Sequence, residues 1–155
     1  MSDNSRLNDD EFSRLIRNAP LVAVDVVLRD RNGNVLLMLR NDEPARNWYF
    51  VPGGRIRKNE TIRAAFERIV KSETGCDAAF DVARLIGVYD HIYSTNRFEQ
   101  EGYGTHYVVL AYELVLNQGA RIELDPHHTA YEWLDEADLK RRPDVHPNVK
   151  AYFAD

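Results

Sequence analysis

The sequence has little of what secreted proteins, membrane proteins and nucleic-acid-binding proteins depend on. Its 155 residues include one cysteine, Cys76, which excludes an internal disulfide. No apolar run approaches the roughly 20 residues that span a bilayer, and the first residues lack the basic-then-apolar pattern of a signal peptide. The net charge is −5 and no basic run stands out, which argues against nucleic-acid partners. These absences predict a cytoplasmic protein with no nucleic-acid and no membrane partner.

The residues that are present suit one globular domain. Hydrophobic residues make up 44% of the chain and charged residues 29%, a balance that provides a core of useful size. We expect a single domain over residues 1–155, with polar residues 1–8 as a mobile N-terminal tail. The acidic run from Asp9 to Glu11 then favours a helix start, and the helix is expected to end before Pro20.

Two apolar stretches indicate paired strands. Residues 21–28 are nearly continuous in β-forming side chains, and residues 30–33 supply an Asn-Gly turn into a second stretch that ends at Arg40. Asp25 interrupts the first stretch, where an unpaired carboxylate would cost free energy. It therefore needs either an ion pair with a nearby arginine or a place at a functional surface. For Arg40, an exposed strand end is the usual case.

The central feature is residues 51–75, which read as a Pro-Gly-Gly turn followed by an amphipathic helix. Gly53 and Gly54 can hold positive φ and leave carbonyl groups free. Asn59 is the expected N-cap of the helix, and Gly75 is the expected residue after its C-terminal end. The apolar face comprises Ile62, Ala65, Phe66, Ile69 and Val70.

Glu73 continues that apolar face although it is charged. It follows Phe66 by seven residues and Ile69 by four, and its charge near the helix C-terminus opposes the helix dipole. Two interpretations stay open. The carboxylate binds a hard cation such as Mg²⁺ beside the glycine carbonyls, or the last turn frays and Glu73 reaches water.

Later segments indicate further strands and helices. His127 and His128 follow an Asp-Pro turn and are both predicted on a loop, where neither is needed for a core. A histidine of ordinary pKa is largely neutral at pH 7 and can accept a proton from water. The remaining expected elements are strands over residues 82–93, 105–116 and 131–134, a short helix capped by Asp135 and a last helix after Pro147.

The order of residues in the central stretch resembles the signature of the Nudix hydrolases. The matching positions are Gly54, Glu60, Arg68, Glu73 and Gly75. A full signature has a glutamate directly after the arginine and a second one directly before the last glutamate, whereas this chain has Ile69 and Ser72 there. Within the family this altered signature resembles the GDP-mannose mannosyl hydrolases, and the resemblance extends over nearly the whole chain.

The resemblance implies an α/β fold, namely a Nudix-type α/β/α sandwich on a mixed β-sheet; residue patterns alone indicate only α/β or α+β. It implies hydrolysis of GDP-mannose, and also of GDP-glucose, to GDP and free hexose by water attack at the anomeric carbon with inversion. It implies a nucleotide-sugar substrate, Mg²⁺ as the metal with Mn²⁺ as an alternative, and a homodimer. Since two usual metal-binding carboxylates are missing, one metal ion is expected.

The resemblance also assigns site residues. The metal ligands it implies are the Gly53 carbonyl, Glu73 and, where the family has glutamine, His127. The catalytic residues it implies are His128 as general base and Arg40, Arg55 and Arg68 as positive charges around the diphosphate. The substrate contacts it implies are Asp25, Arg40, His91, Tyr107 and Phe12.

Simpler interpretations remain open beside these assignments. Arg68 can form an ordinary pair with Glu60 or Ser72, Phe12 can simply pack its helix, and strand histidines such as His91 are usually packing residues. His127 can be an exposed loop residue, since imidazole suits zinc, iron or manganese better than magnesium.

Two other functions also remain open. One is a conventional Nudix pyrophosphohydrolase that acts on a nucleoside diphosphate derivative. The other is a non-catalytic module that binds a nucleotide sugar as a sensor. This function is considered because the missing carboxylates would otherwise bind catalytic metal ions.

Overall fold

The computed structural model describes residues 6–154, which form a mixed β-sheet with helices on both faces. The strands are β1 (Leu21–Arg29), β2 (Val35–Arg40), β3 (Tyr49–Phe50), β4 (Gly53–Arg55), β5 (Arg84–Tyr93), β6 (Thr105–Val115) and β7 (His128–Leu134). The helices are α1 (Asp9–Asn18), α2 (Ile62–Thr74), α3 (Glu136–Arg141) and α4 (Pro147–Lys150). Phe80–Val82 and Ala151–Phe153 are short 3₁₀ helices.

The sheet is centred on β1. Its main order is β3-β2-β1-β6-β5, while β4 also pairs with β1 and β7 also pairs with β2. The β1–β6 pair is parallel, from Leu21 opposite Tyr107 to Arg29 opposite Val115, and the other strand pairs are antiparallel. This mixed sheet confirms the predicted α/β fold.

Two apolar cores lie on opposite faces of the sheet, because successive side chains of a strand point to opposite sides. On one face, Val24 and Val26 pack with Phe66 of α2. On the other face, Val27 packs in a cluster with Leu139 of α3 and Val149 of α4. These layers are the predicted α/β/α sandwich.

The helix ends follow local signals, with one correction. Asn8 caps α1 in a capping box with Glu11, and Gly75 ends α2 with φ +76° as expected. The N-cap of α2 is Thr61, whose hydroxyl oxygen accepts from the Ala64 N–H at 3.1 Å. The predicted cap, Asn59, is wrong: it has φ +67° in the turn before the helix.

The two glycines of the Pro-Gly-Gly segment begin strand β4, so the predicted turn with positive φ is wrong. Gly53 and Gly54 lie opposite Asp25 and Val24 of β1, and neither has positive φ. Glycine is needed here for close approach. A Cβ atom on Gly53 would lie 2.1 Å from the Asp25 Oδ1 atom, and one on Gly54 would lie 3.2 Å from Ile69.

The predicted N-terminal tail lies outside the described residues as far as residue 5; within it, Arg6, Leu7 and Asn8 are exposed. Among residues 6–154, no helix has the length and apolar character needed to cross a membrane. The boundaries of a single domain over the whole chain stay a prediction.

Candidate active site

Two adjoining cavities lie beside the pairing of β1 with β4. The larger has a volume of about 350 Å³ and the smaller about 70 Å³. The wall residues that they share are Arg40, Pro44, Gly53, Gly54 and Tyr107. The structure therefore brings residues from several distant parts of the chain to one junction.

The larger cavity is lined by charged side chains of both signs. Its arginines are Arg6, Arg40, Arg55, Arg57, Arg68 and Arg97. Its carboxylates are Asp9, Asp42, Glu43, Glu73 and Asp125. Such a surface can bind an anionic ligand through the arginines and a cation through the carboxylates.

Glu73 lies at the wall of this cavity and keeps its helical position. Its Oε1 atom accepts from the Gly53 N–H at 3.0 Å, so the interpretation of a frayed last turn is wrong. Burial raises the pKa of Glu73 to about 8, against the opposing effect of the Gly53 hydrogen bond. Its second oxygen has no hydrogen-bond partner among residues 6–154. The charged form of Glu73 therefore needs a further positive partner.

The carbonyl of Gly53 lies on the same edge of β4 as Glu73. The Val26 N–H donates to the Pro52 carbonyl and the Ile56 N–H to the Val22 carbonyl, both at 2.8 Å. Hydrogen-bonded pairs alternate along an antiparallel ladder, so the backbone groups of Gly53 point away from β1. The N–H and carbonyl of one strand residue leave on the same side, which directs the Gly53 carbonyl toward Glu73.

These donors fit a divalent cation such as Mg²⁺. Among the residues from 6 to 154, no three His, Cys, Asp or Glu side chains form a ready-made metal cluster. Magnesium, however, usually keeps several waters and is bound by one or two carboxylates together with substrate phosphates. One half-buried carboxylate and one carbonyl therefore suit an ion that arrives with its ligand.

Arg40 and Arg68 have partners of different kinds. The Arg40 Nε atom donates to the Pro44 carbonyl at 3.0 Å, and its Nη2 atom donates to Asp42 at 3.2 Å. Arg68 binds both oxygens of Glu60 at 2.7 and 2.9 Å and also donates to the Arg55 carbonyl. The expected Arg68–Glu60 pair therefore forms, although Glu60 precedes α2. Arg68 holds the segment between β4 and α2 against the helix.

Arg55 lies at the other end of the larger cavity, against Phe12 of α1. Its guanidinium carbon is 4.7 Å from the centroid of the Phe12 ring, and that of Arg97 is 5.9 Å from it. Burial lowers the pKa of Arg55, with smaller contributions from Arg57 and Arg68. Phe12 also packs edge-on against Phe98, so it lines the cavity and packs its helix at once.

The smaller cavity is lined by Asp25, His91 and Tyr107, which the resemblance assigned to substrate. Asp25 is buried and accepts from the Tyr152 hydroxyl at 2.5 Å, so the alternative of an ion pair with an arginine is wrong. Burial raises the pKa of Asp25 to about 7, opposed by this hydrogen bond. His91 lies 3.3 Å from the same hydroxyl, and burial lowers its pKa to about 4. His91 is therefore neutral at pH 7.

The two adjacent histidines have different surroundings. His128 is the first residue of β7 and pairs with Arg40 of β2, so its predicted loop position is wrong. Its Nδ1 atom is 2.6 Å from Asp125, and its Nε2 atom is buried without a hydrogen-bond partner within residues 6–154. Burial lowers the pKa of His128, although Asp125 opposes the shift. Neither cavity is lined by His128.

His127 does lie on a loop, as predicted, and it lines the larger cavity. Its Nδ1 atom is 2.7 Å from an oxygen of Asp42, and its side chain is 45% exposed. The structure thus contains two Asp–His pairs next to each other, and the pair at the cavity wall is Asp42–His127.

Sequence reasoning missed three residues of this region. Tyr152, Asp42 and Asp125 contact Asp25, His127 and His128 respectively. Asp125 was within reach as the Asp of an Asp-Pro turn, three residues before His128. Tyr152 and Asp42 carried no local signal, because their partners are 127 and 85 positions away.

Comparison with known proteins gives a consistent result. The family model described as NUDIX domain matches residues 19–154. The low-salt glycan biosynthesis protein Agl8 of Haloferax volcanii is 37% identical to this chain over 150 residues, covering 96% of this chain and 90% of that protein.

Solved structures give the same fold. The MutT NUDIX hydrolase from Burkholderia pseudomallei is similar with a TM-score of 0.72 and 26% identity, covering 87% of this chain and 96% of that chain. The MutT protein from Methanosarcina mazei Go1 has a TM-score of 0.71 at 17% identity, over 88% of this chain and 92% of that chain. At the latter identity the likeness concerns the fold alone.

Proposed function

Because this chain belongs to the Nudix hydrolase family, we propose that it hydrolyses a nucleotide sugar, GDP-mannose first and GDP-glucose next, to GDP and free hexose. The observation that carries the proposal is the pair of adjoining cavities. One is rich in arginine and suits a diphosphate, and the other is small and offers hydrogen-bonding side chains for sugar hydroxyls. The similarity to a protein named for glycan biosynthesis also favours a sugar-bearing substrate.

The position of the reacting bond follows from the shared wall. Arg40 and Tyr107 line both cavities, so a ligand with its diphosphate in one and its hexose in the other would have its glycosidic bond beside them. Asp25 and His91 would then bind hexose hydroxyls in the smaller cavity. Arg40 and Arg55 would neutralise the departing diphosphate, and Arg68 would act by holding the segment that carries Arg55.

The base would lie at the opposite end of the larger cavity. Phe12 offers a flat apolar surface there, with the guanidinium groups of Arg55 and Arg97 beside it. Stacking on an aromatic ring does not distinguish one base from another. Guanine therefore rests on the family resemblance alone.

Only one of the usual metal-binding glutamates of the signature, Glu73, is present, which favours attack at the sugar carbon. Glu73 and the Gly53 carbonyl would hold one divalent ion, Mg²⁺ or Mn²⁺, with His127 as a candidate third ligand. When bound, the ion supplies charge stabilisation to the leaving diphosphate. A leaving group stabilised in this way needs no protonation by a second acid, unlike that of ordinary glycosidases.

His128 is the proposed general base. A proton on Nδ1 that is donated to Asp125 leaves the Nε2 lone pair free to accept a proton from water. Water would lose its proton to Nε2, form a bond to the anomeric carbon and displace GDP with inversion. Because Nε2 is buried, this step requires residues 125–128 to shift when the substrate binds; catalytic contacts often tighten only in the complex.

Hydrolysis of GDP-mannose with Mg²⁺ in ¹⁸O-labelled water tests the proposal. Label on C1 of an inverted hexose is the expected result. Label on a phosphate would instead show conventional Nudix cleavage. Ligand-induced thermal stabilisation without turnover, with Mg²⁺ and with Mn²⁺, would favour a nucleotide-sugar sensor. The proposal includes a homodimer, as the family resemblance implies, and light scattering would test it.

A further inference from the structure

Asp42 uses both of its carboxylate oxygens at the wall of the larger cavity. Its Oδ1 atom is 3.2 Å from the Nη2 atom of Arg40, and its Oδ2 atom is 2.7 Å from the Nδ1 atom of His127. All three side chains line the larger cavity, and Arg40 also lines the smaller one. One carboxylate therefore holds an arginine at the junction and a histidine beside it.

Two contacts that do not involve Asp42 also join the loops that carry Asp42 and His127. The Asn41 N–H donates to the His127 carbonyl and the Asn41 side chain donates to the Pro126 carbonyl, both at 3.0 Å. These contacts join the loop of residues 41–47 to the backbone of the loop before β7. What Asp42 adds is the orientation of two side chains.

The contact with a carboxylate also selects the tautomer of His127. A carboxylate oxygen only accepts, so the proton of neutral His127 must be on Nδ1. The Nε2 atom then carries a lone pair, and it has no hydrogen-bond partner among residues 6–154. With the side chain 45% exposed, this lone pair is available to a ligand in the cavity.

We propose that Asp42 is a positioning residue, which holds His127 with an unprotonated Nε2 atom in the larger cavity and holds Arg40 at the junction of the two cavities. The effect on turnover rests on the proposed function. An unprotonated Nε2 is what His127 requires as the candidate third ligand of the divalent ion.

The variant Asp42→Asn keeps the contacts of residue 42 with Arg40 and His127 but replaces the carboxylate by a neutral amide. Its amide has the same shape, so the oxygen can still accept from Arg40 while the NH₂ group donates to His127 Nδ1. Such a contact forces the His127 proton onto Nε2 and removes the lone pair. We expect kcat for GDP-mannose to fall by about 10- to 100-fold while KM changes only a few-fold, because the Arg40 contact is retained.

A second measurement does not require turnover. In the full-length, metal-free protein, ¹⁵N chemical shifts of the His127 ring should show the proton on Nδ1 in the wild type and on Nε2 in Asp42→Asn. The matched control is Asp90→Asn. Asp90 contacts His106 at 3.2 Å and lines neither cavity, so this variant should leave kcat, KM and the His127 signals unchanged.

Clear outcomes would overturn the inference. A proton on Nε2 in wild-type His127, or an unchanged kcat in Asp42→Asn with a wild-type melting temperature, would each do so. If the wild type does not hydrolyse GDP-mannose, the proposed function fails, yet the ring signals still decide whether Asp42 sets the tautomer.

Discussion

Glu73 and Asp25 are two carboxylates whose charged forms are disfavoured by their surroundings. Burial raises the pKa of Glu73 to about 8 and that of Asp25 to about 7. Within residues 6–154, the Glu73 carboxylate accepts one hydrogen bond, from the Gly53 N–H, and the Asp25 carboxylate accepts one, from the Tyr152 hydroxyl. Both groups therefore gain from a ligand that brings positive charge or hydroxyl donors.

The raised pKa of Glu73 predicts a pH-dependent stability. In EDTA, the folded protein keeps the Glu73 proton up to about pH 8, whereas the unfolded chain releases it near 4.5. The free energy of unfolding should therefore fall as the pH rises from 5 to 8, by at most about 1.4 kcal/mol per pH unit for this group. Urea unfolding should show a shallower decline in Glu73→Gln. Equal declines in both proteins would mean that Glu73 ionises normally.

The proposed base gives a second prediction. Replacing His128 by alanine should lower kcat for GDP-mannose by about 10²- to 10⁴-fold, because the variant lacks the imidazole that Asp125 holds as the proposed proton acceptor. Steady-state kinetics of His128→Ala measure this. His106→Ala is the control, since His106 lies on β6 outside both cavities. A rate within a few-fold of the wild type would remove His128 from the mechanism.

For single residues, the sequence was sufficient to predict which side chains belong to the candidate site. It was not sufficient to predict which residues those side chains contact. The cost of leaving Asp25 unpaired was evident, yet its hydroxyl partner is 127 positions away. His128 appeared to be a loop residue because its pairing with Arg40 of β2 depends on the sheet and not on neighbouring residues. The Asp42–His127 and Asp125–His128 pairs differ in whether the histidine lines the larger cavity, and only the structure shows that difference.

Among the elements, β4 is the one that differs most from its prediction. The two glycines are needed for a different reason from the one predicted. A turn would need their positive φ, whereas β4 needs the absence of a side chain, because Asp25 and Ile69 lie close to the two glycines. The approach of Gly53 to Asp25 places the Glu73 side chain, the Gly53 backbone and the Asp25 carboxylate next to one another. The α2 helix, by contrast, was predictable because its apolar period and its terminal glycine are local signals.

This close approach predicts the effect of Gly53→Ala. The added methyl group would lie 2.1 Å from Asp25 Oδ1, so β4 must move away from β1. We expect a loss of about 1–3 kcal/mol in unfolding free energy and a smaller rise in melting temperature on addition of Mg²⁺.

Thermal unfolding with and without Mg²⁺ measures both effects of Gly53→Ala. Gly87→Ala serves for comparison, because Gly87 has no positive φ and only the Tyr89 side chain within 3.4 Å. An equally small change in both variants would show that β4 tolerates a side chain.

At the scale of the whole molecule, the site joins segments from both ends of the chain. Phe12 of α1 lines the larger cavity, and Tyr152 donates a hydrogen bond to Asp25, which lines the smaller one. The α/β class and most strands were predictable from hydrophobic pattern and family signature. The parallel pairing of β1 with β6 was not predictable. Local sequence patterns indicate that a strand forms, but they do not indicate which distant strand it pairs with.

A change at Tyr152 tests whether the smaller cavity binds the hexose separately from the binding of GDP in the larger cavity. The variant Tyr152→Phe removes the hydroxyl that donates to Asp25 and keeps the ring. We expect KM for GDP-mannose to rise by about tenfold while the affinity for GDP stays constant, because Tyr152 does not line the larger cavity. Tyr89→Phe, in the ring that packs on Tyr152 at 4.9 Å, is the control. A parallel loss of GDP affinity would argue against a separate sugar site.

The contact between Asp25 and Tyr152 also has a consequence for synthesis on the ribosome. The two residues are 127 positions apart, so at about 5–20 residues per second Asp25 is made roughly 6 to 25 seconds before its partner. Strand β1 is likewise synthesised before its partner β6, and an unpaired strand edge can associate with other chains. Nascent chains on closely spaced ribosomes are therefore most exposed to aggregation in this interval, before the last segment has emerged.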